Sequence, residues 1–173
     1  MWVSHPYRLM IRLARPSDLP AIVAIYNASI PARLATADTE PVSVESRVAW
    51  LAERESRHPV WVFEDGGEAL AWLSLGKFYG RPAYSATAEI GFYVAPAAQR
   101  KGLASALLRH ALAEAPLLGH NTLLAFVFSH NLPSIALCER FGFSHWGKLP
   151  RVALLDGIER DLSILGLRLI DTE

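Results

Sequence analysis

The sequence predicts a mixed α/β fold of the α+β type, with a central, mostly antiparallel sheet of about seven strands flanked by about four helices. Three observations lead there: seven short apolar runs of strand character, helical stretches between them, and the hairpin turn signals Asp65-Gly66-Gly67 and Asp156-Gly157. Strands are expected at 8–14, 60–64, 68–75, 87–94, 122–128, 143–154 and 158–169. Ser17 is placed to cap a first helix running through Ile25, and Ser43 a second running through Glu55 with Val44, Val48 and Leu51 on one face. A third helix is read at 103–115, and a fourth from Asn131 through Arg140, closed by Gly142. The order is therefore β-α-α-β-β-β-α-β-α-β-β, with the second strand antiparallel to the third and the sixth to the seventh. Two irregular stretches, 30–41 and 76–84, are long enough to be functional loops.

Composition narrows the class of protein. The 173 residues are 51% hydrophobic and 20% charged, which suits one domain spanning 1–173 and burying roughly 70% of its unfolded surface. Formal net charge is zero, so there is no basic footprint for nucleic acid or an anionic membrane. A single cysteine, Cys138, leaves no intrachain disulfide and suits a reducing compartment. Arg8, Arg12 and Arg15 precede the first acid, Asp18, as in a transit peptide, but 9–14 reads better as a strand. No apolar run reaches the roughly 20 residues of a membrane span, and a cytoplasmic location is expected. The six histidines are scattered, so no metal site is expected. The run from Gly142 to Lys148 imitates a P-loop until Leu149 takes the place of the required hydroxyl residue. Trp50, Trp61, Trp72 and Trp146 are read as core or interface residues.

The most informative segment is Gln99-Arg100-Lys101-Gly102-Leu103-Ala104, between a strand ending at Val94 and the third helix. A helix N-terminus carries free N–H groups and the positive end of the macrodipole, which together hold anions such as a pyrophosphate. Glycine at 102 permits close backbone approach, and Arg100 and Lys101 add positive charge. The plainer alternative is a capped strand-to-helix turn.

Gln99-x-x-Gly102-x-Ala104, together with Asn131-Leu132-Pro133-Ser134 and the closing run from Glu139 to Phe143, resembles the GNAT superfamily of N-acetyltransferases. Ile25-Tyr26-Asn27, Thr39-Glu40-Pro41, Arg81-Pro82-Ala83-Tyr84, Thr87-Ala88-Glu89 and Tyr93-Val94 are similar to its phosphinothricin N-acetyltransferase branch. The resemblance covers nearly the whole chain. It implies acetyl-CoA as co-substrate, its pantetheine arm paired with the backbone of Phe92, Tyr93 and Val94. It also implies a pyrophosphate held by Arg100, Lys101, Gly102, Leu103, Ala104 and Ser105 after Gln99, with Asn131 and Ser134 at the fourth helix start. A homodimer is a further implication of the branch.

Acetylation of an amine needs a base, because shedding the ammonium proton costs about 1 to 5 kcal/mol at pH 7. Glu89 is the only acid between Glu68 and Glu114, and on a strand it shares a face with Thr87, Gly91 and Tyr93. In the branch the matching glutamate serves as general base; a solvent-facing glutamate or an ion pair with Arg81 is the structural alternative. Relatives carry Tyr or His where this chain has Cys138, so a proton donor to the departing thiolate is one reading of that cysteine and a small core residue the other. The branch motif R-x-R-x-A-Y has Tyr79 in place of its first arginine here, leaving Arg81 to grip a carboxylate. Asn27, Tyr79, Arg81 and Tyr84 are thus the candidate substrate residues. The expected activity is acetyl transfer to the primary amine of a small amino acid or analogue by direct attack. A protein or peptide N-acetyltransferase and a weakly catalytic acetyl-CoA-binding module are the alternatives.

Overall fold

A computed structural model describes residues 9–170. Seven strands form one sheet: β1 (Met10–Leu13), β2 (Val60–Asp65), β3 (Glu68–Lys77), β4 (Thr87–Val94), β5 (Thr122–Phe128), β6 (Ser144–Leu155) and β7 (Ile158–Arg168). Their spatial order is β1-β2-β3-β4-β5-β7-β6, and every pairing is antiparallel except that of β4 with β5. The helices are α1 (Leu19–Ala28), α2 (Glu45–Ala52), α3 (Leu103–Glu114) and α4 (Leu132–Arg140). The expected order of elements therefore holds, and both hairpins form where expected. Asp156 and Gly157 both have positive φ (51° and 79°), the backbone that a two-residue hairpin turn requires. The expected first strand begins at Arg8, which lies outside the described residues.

Alternation along the strands divides the core in two. On one face Trp61, Phe63, Leu73, Leu75, Ala88 and Ile90 pack with Leu107, Leu108 and Ala111 of α3 and with Ile135 and Cys138 of α4. On the other, Val60, Val62 and Trp72 pack beneath Ile22 and Ile25 of α1. An ion network fixes the start of α1. Arg12 of β1 pairs with Asp18 at 2.7 Å and with Glu64 of β2 at 2.5 Å, and Asp18 also accepts the Arg15 N–H at 2.7 Å. Ser17 is therefore not the cap, because a turn of 3-10 helix at Pro16–Asp18 precedes α1.

The second helix departs most from expectation. It stops at Ala52, and of the predicted Val44–Val48–Leu51 face Leu51 packs toward the sheet while Val48 is 53% exposed. Trp50 packs beside Leu51 on the Trp72 cluster, and Arg47 lies on that same side, its guanidinium 5.4 Å from the Tyr26 ring. An apolar stripe misleads when the inward face of a helix also carries cations.

Candidate active site

The sheet opens at its centre. Register between β4 and β5 runs only from Thr87↔Thr122 to Glu89↔Leu124, although β4 continues to Val94 and β5 to Phe128. Ala95 donates to Leu70 O at 2.8 Å, so alternation turns the backbone groups of Gly91 and Tyr93 toward β3 and those of Phe92 and Val94 toward the opening. Of the three residues expected to lend backbone groups to a pantetheine arm, Phe92 and Val94 face the gap and Tyr93 is paired with Trp72.

At the end of that opening stands the start of α3. Gly102 is its N-cap, in the left-handed conformation (φ 80°), and Arg100 before it is also left-handed (φ 61°). The first helical bond is from Ala106 N to Gly102 O, which leaves the N–H groups of Leu103, Ala104 and Ser105 without an acceptor among the described residues. A Cβ at Gly102 would meet nothing within 4 Å, so glycine serves the backbone turn here and the space before it is open. Gln99, Arg100 and Lys101 are exposed around this nest of donors. The arrangement suits a pyrophosphate.

On the α1–α2 side of the sheet, beside the point where β4 and β5 part, lies a cavity of about 290 Å³. Tyr26, Trp50, Trp72 and Tyr93 form aromatic walls, and Arg47, Arg54 and Glu89 are its charged side chains. Glu89 is half-buried and, among the described residues, forms neither an ion pair nor a side-chain hydrogen bond; burial raises its carboxyl above the ordinary value. The alternative of an ion pair with Arg81 is not realised. A desolvated, unpartnered carboxylate in a cleft is available for proton transfer. Burial likewise raises the Tyr93 hydroxyl, whose O–H donates to Ala35 O at 3.3 Å.

The other predicted residues fall elsewhere. Arg81 and Tyr84 line a separate recess of about 210 Å³ with Glu55, His58 and Lys77, and Tyr79 is 76% exposed. None of the three lines the Glu89 cavity. Asn27 is occupied structurally, donating to Val42 O and accepting from Val42 N, both at 2.9 Å. Asn131 is 7% exposed and both ends of its amide are used: Oδ1 accepts the Ser134 N–H at 3.3 Å as an N-cap, and Nδ2 donates to Leu34 O at 3.1 Å. Reasoning from the sequence missed Arg47, Arg54, Trp50 and Trp72 as cavity residues. The i, i+3 spacing of Arg47 and Trp50 on α2 was the signal that could have found two of them.

Cys138 is corrected to a core residue. It is fully buried in the α3–α4 core, and burial pushes its thiol up to about 11. Cys138→Ala is expected to cost about 1 kcal/mol of stability, read as a lower Tm, and to leave kcat within twofold. A tenfold fall in kcat with Tm unchanged would restore a role for the thiol in the reaction.

The family model described as "Acetyltransferase (GNAT) family" matches residues 22–143. The chain belongs to this acetyltransferase family. YwnH of Bacillus subtilis (strain 168), provisionally named a phosphinothricin acetyltransferase, is 48% identical over 162 residues, covering 93% of this chain and 99% of its own. An L-methionine sulfoximine/L-methionine sulfone acetyltransferase of Salmonella typhimurium is 32% identical over 162 residues, 93% of this chain and 95% of its own. The structure of yncA, a provisionally named acetyltransferase from Salmonella typhimurium with its cofactor acetyl-CoA, matches at a TM-score of 0.89 and 32% identity, over 95% of each chain. The chain is accordingly an acetyl-CoA-dependent N-acetyltransferase similar to the phosphinothricin acetyltransferase branch.

Proposed function

We propose that this chain, acting as a single domain over 1–173, acetylates the primary amine of a small amino acid or amino-acid analogue of the phosphinothricin or methionine sulfoximine kind. The amine attacks the thioester directly and Glu89 is the general base. The observation that carries the reading is the half-buried Glu89 carboxylate, without a partner among the described residues, lining the cavity at the last residue pair before β4 and β5 separate. Acetyl-CoA, when bound, supplies the activated acyl group and a good leaving thiolate. The backbone groups of Phe92 and Val94 and the free N–H groups of Leu103, Ala104 and Ser105, with Arg100 and Lys101 beside them, are the residues that would hold it.

Cavity size supports a small acceptor. A volume of about 290 Å³ lies just below the roughly 300–1,000 Å³ typical of small-molecule sites. The 30–41 loop is also fastened down rather than open. Arg33 pairs with Asp156 at 2.9 Å, His130 Nε2 bonds the Arg33 carbonyl at 2.9 Å, and Asn131 holds Leu34. A peptide needs an open groove, and the small cavity with a fastened loop nearby favours a small acceptor. The single free cysteine is in keeping with a cytoplasmic enzyme.

The test is CoA release with acetyl-CoA and a panel of amino acids, methionine sulfoximine, phosphinothricin, polyamines and short peptides. Turnover concentrated in the amino-acid class is expected; turnover confined to peptides would overturn the reading. A homodimer belongs to the same proposal, supported by the edge strand β6, which exposes Trp146, Leu149, Val152 and Leu154, with Ile158 exposed at the start of β7. Sedimentation equilibrium is expected to give twice the chain mass, and paired charges at Leu149 and Val152 to give the monomer.

A further inference from the structure

Charge in the Glu89 cavity does not balance. Its charged side chains are two guanidiniums, Arg47 and Arg54, and one carboxylate, Glu89. Arg47 is partly compensated: it lies 3.7 Å from Asp38, a carboxylate that also accepts the Tyr26 hydroxyl. Arg54 is not. Its Nε donates to His58 O at 2.6 Å and its Nη2 donates to Leu75 O, so its two bonds are to neutral carbonyls. No acidic side chain pairs with it among the described residues, and its planar group stacks over Trp50 at 4.9 Å.

A guanidinium carries five N–H donors in a rigid fork. Two of them fix Arg54 in place, tying the chain after α2 to the end of β3. At least two others, on Nη1, have no partner among the described residues. Burial without a counter-charge disfavours the cation and lowers its pKa, so an anion entering the cavity would be favourable to it. Arg54 follows the end of α2, and its fork is set by its two carbonyl bonds and by Trp50, which packs on the Trp72 cluster.

We infer that Arg54, with Arg47 beside it, holds the carboxylate of the acceptor amino acid. The inference rests on the reading of the cavity as the acceptor site. Glu89 and Arg54 line the same cavity, so an α-amino acid would turn its amine to the one and its carboxylate to the other, with its side chain against the aromatic walls. Arg81, expected from the sequence to grip the carboxylate, stands exposed at the other recess. The role is one of binding and orientation, since a charge-assisted pair fixes where the amine lies.

The test compares an accepted amino acid with its carboxyl-free amine in the wild type, Arg54→Met and Arg54→Lys. Charge-assisted hydrogen bonds predict a KM ratio of amine to acid of about 30 in the wild type. That ratio is expected to collapse to about 1 in Arg54→Met and to take an intermediate value in Arg54→Lys. Acetyl-CoA binding and Tm report whether the variants fold. An undiminished ratio in folded Arg54→Met would overturn the inference and leave the amino-acid activity standing. Equal KM for acid and amine in the wild type overturns it even where both variants misfold. A wild type that acetylates no amino acid brings down the functional reading as well.

Discussion

Glu89→Gln is expected to lower kcat by about 10²- to 10⁴-fold, the usual range for a lost general base, with acetyl-CoA affinity changed less than twofold. The separation follows from the site: Glu89 lines the acceptor cavity, whereas the donors suited to the cofactor are the backbone of Phe92 and Val94 and the start of α3. The pH profile gives a second, independent reading. Burial raises the Glu89 carboxyl above its ordinary value, so the acid limb of kcat/KM should fall at a higher pH than for an exposed glutamate, and should vanish in the variant. The same shift has a sign for stability. A folded-state pKa above the unfolded value means that the folded chain binds the proton more tightly, so this contribution is present below the unfolded pKa and lost as pH rises through the folded one. Glutamine removes the cost of a desolvated charge at neutral pH. The variant should therefore be at least as stable as the wild type there. A parallel loss of kcat and acetyl-CoA binding, or a lower Tm, would defeat the assignment of Glu89 as the base.

What the sequence made legible follows from what local patterns encode. Hairpins at Asp65-Gly66-Gly67 and Asp156-Gly157, the α4 cap at Asn131 and the α3 start at Gly102 are local signals, and all four stand where the residues put them. The face of α2 was misjudged because periodicity was weighed by hydrophobicity alone: Arg47 does not score as inward-facing, nor does Arg54 in the chain that follows the helix. Their stems and planar groups pack against Tyr26 and Trp50 while the charge turns to the cavity. Asn27 looked like a substrate ligand for the opposite reason: nothing local shows that its amide is used up by Val42, fifteen residues on. The division of β4 between Phe92 and Val94 on one side and Tyr93 on the other depends on a bond from Ala95 to Leu70, a long-range pairing with no trace in the motif.

Gly102→Asp is expected to weaken acetyl-CoA binding by about 100-fold or more, a loss near 3 kcal/mol. Two effects act together. The N–H groups of Leu103, Ala104 and Ser105 have no acceptor among the described residues, and an aspartate beside them would offer its own carboxylate to donors that otherwise meet the pyrophosphate. It would also set a negative charge against the anion where Arg100 and Lys101 now supply positive ones. Steric damage to the fold is not the cause, since a Cβ at this position meets nothing within 4 Å. Backbone strain is real but small: φ at 102 is 80°, and a non-glycine residue in that left-handed region costs about 1–2 kcal/mol. Gly102→Ala carries the same strain without the charge, so it should lose roughly 10-fold in affinity. The difference between the two variants, measured by calorimetric titration, isolates the electrostatic part. Equal affinities in alanine and aspartate variants would mean that the donors at the start of α3 do not meet the anion, and the cofactor's phosphates would then have to lie elsewhere along the opening.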